Sequence, residues 1–143
     1  MPASLLQVSI IVDDPGAVVG FYADLFDAPE EHTVNPEGYR GVIVGEGILG
    51  FNEPAARGKL GLSGSESEAQ RSSDDVGYFT VQLDADHEVD RLLSKALTLG
   101  GTVLKGPMVT PFGWYIAVLR DPHGNAFRLA STRGPVKLRT LSD

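Results

Sequence analysis

Arg128 is the residue of this 143-residue chain whose type and setting speak most directly of chemistry. It follows the run Arg120-Asp121-Pro122-His123-Gly124-Asn125 and sits inside the apolar stretch Ala126–Ser131. Phe127 and Leu129 read as core, so Arg128 projects from the opposite face with the small Ala126 and Ala130. A guanidinium there is a permanently charged donor fork suited to a carboxylate, phosphate or enolate oxygen. A structural pairing with one of the 19 Asp and Glu residues is the equal alternative, since a cation among small residues needs a partner. Trp114 and Tyr115 precede this stretch, and one of the two should stack on a flat ligand while the other packs. Tyr39-Arg40 offers a similar, weaker pair. His32, His87 and His123 share no i, i+2 or i, i+4 spacing, so they read as surface or capping histidines rather than metal ligands. Without cysteine there is no thiolate nucleophile, no disulfide and no Cys-bound zinc. No Gly-x-Ser-x-Gly elbow occurs, and Gly45-x-Gly47-x-x-Gly50 joins two strands without opening a helix, so it reads as a turn.

The elements that must position these residues follow from patterning. Leu6 to Val12 alternates as a strand, with Gln7, Ser9 and Ile11 on one face. Asp14 caps a helix whose first residue is Pro15 and whose stripe is Val18, Phe21, Tyr22 and Leu25. Strands are expected at 30–34, 39–44 and 48–52, separated by Asn35-Pro36-Glu37-Gly38 and Gly45-Glu46-Gly47. Residues 55–75, rich in Gly, Ser and Glu, read as a linker or lid. Val76 to Leu83 is again a strand, with Tyr78, Thr80 and Gln82 turned away from the core. Asp86 caps a second helix carrying Val89, Leu92, Leu93, Ala96 and Leu97, ended by Gly100-Gly101. Strands at 102–105, 114–119 and 126–131 close the chain, with a polar tail over 132–143. Both halves thus read strand, helix, three strands, with Val12-Asp13 matching Leu83-Asp84.

Asp121-Pro122-x-Gly124-Asn125, together with the opening strand, Asp and helix ending in Phe21-Tyr22, resembles the glyoxalase/bleomycin-resistance/extradiol-dioxygenase families, the vicinal oxygen chelate superfamily. The resemblance covers roughly residues 4–131. It implies an α+β fold: two βαβββ modules forming a cupped, barrel-like mixed sheet around one site, module one over 4–54 and module two over 76–131 of a single domain. Metal-dependent members place His, Glu or Gln ligands on the first and last strand of each module. The matching positions here are Gln7, Tyr78, a residue near Phe51, and Arg128, which stands where a Glu is usual. A divalent metal gains little from such a set.

The resemblance therefore implies a metal-independent small-molecule-binding protein like the drug-sequestering members, with no cofactor and no assigned catalytic residue. Its expected ligand-binding residues are Gln7, Ser9, Phe51, Tyr78, Thr80, Trp114, Tyr115 and Arg128. The alternative is a lyase, isomerase or dioxygenase, metal-dependent or using Tyr78 as acid or base with Arg128 as oxyanion stabiliser. A homodimer is expected, as in those members. The net charge of −7 argues against nucleic acid as partner. No run approaches the ~18 apolar residues of a membrane helix, and no secretory signal is evident, so a cytoplasmic location is expected.

Overall fold

Asp14 and Pro15 start the first helix as their chemistry requires. In the computed structural model the Asp14 carboxylate accepts the Ala17 amide at 3.1 Å, and α1 runs Pro15–Phe26. Val18, Val19, Phe21, Tyr22 and Leu25 are buried, the spacing of one helical face. Residues 3–31, 38–62 and 77–132 are described. His32, the Asn35-Pro36-Glu37 turn, residues 63–75 of the linker and the tail from 133 onward lie outside them. The chain divides into two compact units, Met1–Val76 and Gly77–Asp143.

The first unit contains β1 (Gln7–Ile11), α1, β2 (Tyr39–Val44), β3 (Gly47–Asn52) and the single helical turn α2 (Ala56–Lys59), which falls in the stretch expected to be irregular. β3 is central, parallel to β1 and antiparallel to β2. Val42, Leu49 and Phe51 are buried, and the Phe51 ring stacks on Tyr22 of α1 with centroids 5.4 Å apart. Of the strand expected over 30–34, residues 32–34 lie outside the described residues, and Glu30 forms an antiparallel bridge to Val42. Glu31 N donates to Gly41 O at 2.8 Å and Ile43 N to Pro29 O at 2.9 Å. Pro29 has no N–H to extend the ladder.

The second unit contains β4 (Phe79–Leu83), α3 (Asp86–Thr98), β5 (Thr102–Val109), β6 (Tyr115–Arg120) and β7 (Ala126–Ser131) in the order β4-β7-β6-β5. Val89, Leu92 and Ala96 of α3 are buried, and Phe127, Leu129, Ala117 and Leu119 form the apolar sheet core. Asp86 is the first helical residue, not the cap. Ala85 holds the cap position without a side-chain bond, and Asp86 and Glu88 lie in the first turn, where the helix dipole favours acids. None of the helices among the described residues is long and apolar enough to cross a membrane.

Element order and the paired α+β modules match the sequence reading, but the expected barrel does not form. Neither sheet closes or curls strongly. β1 and β2 are the outer strands of the three-stranded sheet, β4 and β5 those of the four-stranded sheet, and neither pair of outer strands is joined to the other. Closure needs first-to-last strand pairing with a fixed stagger, and about eight strands to leave room for side chains inside.

The β6–β7 hairpin is held by one carboxylate. Asp121, 3% exposed, accepts from His123 N at 2.8 Å, Asn125 N at 3.1 Å and Asn125 Nδ2 at 2.9 Å. Gly124 takes φ +92°, a conformation that L side chains rarely adopt. Replacing Asp121 by Ala leaves these donors without their charged acceptor. Urea unfolding of Asp121→Ala should show a loss of about 2–3 kcal/mol.

Candidate functional site

β7 is hydrogen-bonded on both sides, and its register decides which side chains meet. Thr80 of β4 and Val118 of β6 are the register partners of Arg128, and Lys105 of β5 is the partner of Val118. Since Phe127 and Leu129 face α3, these residues stand on the other face. Arg128 Nε donates to Thr80 Oγ1 at 3.0 Å. Its guanidinium carbon lies over two aromatic rings, 5.4 Å from the Tyr78 centroid and 5.5 Å from that of Trp114. Among the described residues no carboxylate pairs with Arg128, and its two terminal nitrogens carry no hydrogen bond.

Trp114 reaches this face through a tight loop. Thr110 N donates to Trp114 O at 2.7 Å, and Trp114 N to Thr110 Oγ1 at 2.9 Å. The exposed Phe112 meets the Trp114 ring edge-to-face at 5.0 Å. Tyr115, one residue on, points to the helix side and donates its hydroxyl to Asp90 of α3 at 2.6 Å. The four expected residues Tyr78, Thr80, Trp114 and Arg128 are thus brought together, and Tyr115 is not among them.

In the first unit Gln7 Nε2 donates to the Tyr39 hydroxyl at 2.9 Å. Both lie above the cross-strand pair Gly41 and Gly50. A Cβ on Gly41 would meet the Tyr39 hydroxyl oxygen at 2.6 Å, and one on Gly50 would lie 2.8 Å from the Tyr39 ring and overlap Gln7 Nε2. Ser9 is the register partner of Gly50 and is exposed. Phe51 is on the opposite face as a 0%-exposed core ring, so the expected last-strand position was one residue off. Ser9 pairs with Gly50 as Thr80 pairs with Arg128, which makes Gly50 the counterpart of Arg128. Patterning missed this because apolar residues occur on both faces of β3. The legible sign was a glycine in each of two adjacent strands, which marks a close approach by another group. Arg40 is engaged elsewhere, with Nε 2.9 Å from Glu30 Oε1.

The phenol of Tyr39 is 6% exposed, and its pKa is raised by burial and then by the Glu31 carboxylate, an effect partly offset by the Gln7 hydrogen bond. The four positions that correspond to family metal ligands are Gln7, Gly50, Tyr78 and Arg128. An amide, a glycine, a phenol and a guanidinium do not fit a divalent cation. Among the described residues there is also no group of three or more His, Asp or Glu able to hold one.

A family model described as Glyoxalase/Bleomycin resistance protein/Dioxygenase superfamily matches residues 4–129. The anthracycline biosynthesis protein DnrV of Streptomyces peucetius is 31% identical over 134 residues, 93% of this chain and 43% of DnrV. DauV of Streptomyces sp. strain C5 matches equally, so the chain spans less than half the length of these curated relatives. A glyoxalase/bleomycin resistance protein/dioxygenase family enzyme from Burkholderia phytofirmans PsJN superposes with TM-score 0.80 at 30% identity, covering 91% of this chain and 99% of that one. Lactoylglutathione lyase from Agrobacterium tumefaciens, at 21% identity, shares the fold with TM-score 0.69 over 93% of this chain and 96% of its own.

Gly50→Ala should lower stability by about 1–3 kcal/mol, because the new methyl displaces Gln7 and Tyr39; thermal denaturation reads this directly. In alkaline ultraviolet titration, Tyr39→Phe should remove a phenolic step lying above the ordinary tyrosine range. The sign follows from linkage. The unfolded chain ionises first as pH rises, so the stability tied to the neutral Tyr39 fades between its unfolded and folded pKa.

Proposed function

The chain belongs to the Glyoxalase/Bleomycin resistance protein/Dioxygenase superfamily, and we propose that it acts there as a metal-independent small-molecule-binding protein. Its binding face is that of the second unit, with Arg128 as anchor for an acidic or oxyanionic group and Tyr78, Thr80 and Trp114 beside it. The observation carrying this reading is a guanidinium over two aromatic rings with both terminal nitrogens unoccupied among the described residues. A cation with open donors beside ring faces is suited to an anion on an apolar body.

The chain's overall −7 charge opposes an anionic ligand at a distance, but a group in direct contact outweighs a screened field. In this role the protein would sequester a drug or metabolite. The names of the curated relatives, anthracycline biosynthesis proteins, are in keeping with a secondary metabolite as ligand.

Native mass spectrometry of protein purified without chelators, with elemental analysis of the same sample, tests this reading. A retained small molecule with substoichiometric metal is the expected result; one transition metal per chain would overturn it. Arg128→Ala should weaken binding of the retained molecule by about 2–5 kcal/mol with the circular dichroism spectrum unchanged. Unchanged affinity would return Arg128 to a structural role.

A further inference from the structure

Taking Arg128 as the ligand's anchor, as proposed above, the geometry points to a planar aromatic carboxylate as the ligand class, gripped end-on by the two terminal nitrogens of Arg128, with Thr80 as the positioning residue. A guanidinium can bind a carboxylate in two bidentate ways, through Nε and one terminal nitrogen or through both terminal nitrogens. The Nε–H is already donated to Thr80 Oγ1 at 3.0 Å. The side-on mode is therefore closed, and the end-on mode is the one left open. Thr80 is held for this by register, since β4 pairs with β7 in parallel and sets Thr80 directly beside Arg128.

The rings decide the shape of the rest of the ligand. A carboxylate held end-on lies in the plane of the guanidinium. In an aryl carboxylate the ring is conjugated with that group and prolongs the same plane. The Tyr78 and Trp114 rings lie 5.4 and 5.5 Å from the guanidinium carbon, so the body of a carboxylate held there leaves the guanidinium beside aromatic side chains on which a flat group can pack. Phe112 approaches Trp114 at 79°, edge against face, and adds an exposed apolar flank. A tetrahedral phosphate or a saturated acid satisfies the charge but gains nothing from the rings. Among the described residues the strand positions on this face carry no carboxylate, and Lys105 is the register partner of Val118 beside Arg128, which favours an anion locally.

Calorimetric titration with three probes tests the inference: 2-naphthoate, the neutral 2-naphthalenemethanol, and cyclohexanecarboxylate. 2-Naphthoate should bind about tenfold or more tighter than either of the others. Thr80→Val should weaken 2-naphthoate about five- to tenfold while leaving 2-naphthalenemethanol unchanged, and Thr80→Ser should retain the acid preference. Equal binding of acid and alcohol would overturn the inference. So would a Thr80→Val effect of the same size on both, which is the mark of a merely structural role. Parity between 2-naphthoate and cyclohexanecarboxylate would remove the planar requirement and overturn it too. If none of the three binds but the purified protein retains another small molecule, this inference falls and the broader binding role stands. If nothing is retained either, both fall.

Discussion

The two central strands, β3 and β7, are each hydrogen-bonded on both sides, and the period of two along them governs everything else in the two units. In β7 that alternation sends Phe127 and Leu129 toward α3 and Arg128 the other way. The division is energetically strict. A one-residue slip would place the guanidinium against the Val89 and Leu92 side of α3 and bring Ala126 and Ala130 where large apolar rings now pack. Burying an unpaired charge would cost several kcal/mol, and the emptied core positions would add to it. Thr80, Tyr78 and Trp114 meet Arg128 because β4 and β6 are locked to this register, not through any local preference of their own.

The same sheet position has been filled in two different ways. In the second unit the row across the sheet reads Lys105, Val118, Arg128, Thr80. In the first it reads Glu31, Gly41, Gly50, Ser9, and the space left by the two glycines is taken by the Tyr39 ring and the Gln7 amide. One face thus carries a cation with open donors, the other a closed, hydrogen-bonded aromatic. Neither is a setting for a divalent cation.

Much of the fold was legible in the residues. α1 is bounded where Asp14 and Pro15 say it should be, because the cap and the fixed proline φ act locally. β2 and β7 begin and end where patterning puts them, each being flanked by strong turn chemistry. Local signals failed where partners decide. β5 runs to Val109, well past Lys105, because β6 continues to pair with it through register shifts that no local preference announces. Among the expected site residues, Tyr78, Thr80, Trp114 and Arg128 come together. Phe51 and Tyr115 face the helices, since a shift of one position reverses the face.

From the sequence alone followed the duplicated module, the start of α1, the closing hairpin and the presence of a guanidinium where the family usually has a carboxylate. Each rests on interactions within a few residues, which a chain carries wherever it goes. Only the tertiary structure decided that the sheets stay open, that Gly50 rather than Phe51 is the counterpart of Arg128, and that Tyr39 and Gln7 fill the space above it. The structure also turned Trp114 rather than Tyr115 toward Arg128, whose Nε is engaged and whose terminal nitrogens are open among the described residues. These depend on which strands pair and in what register, a choice made by the packing of whole faces and not by any single residue.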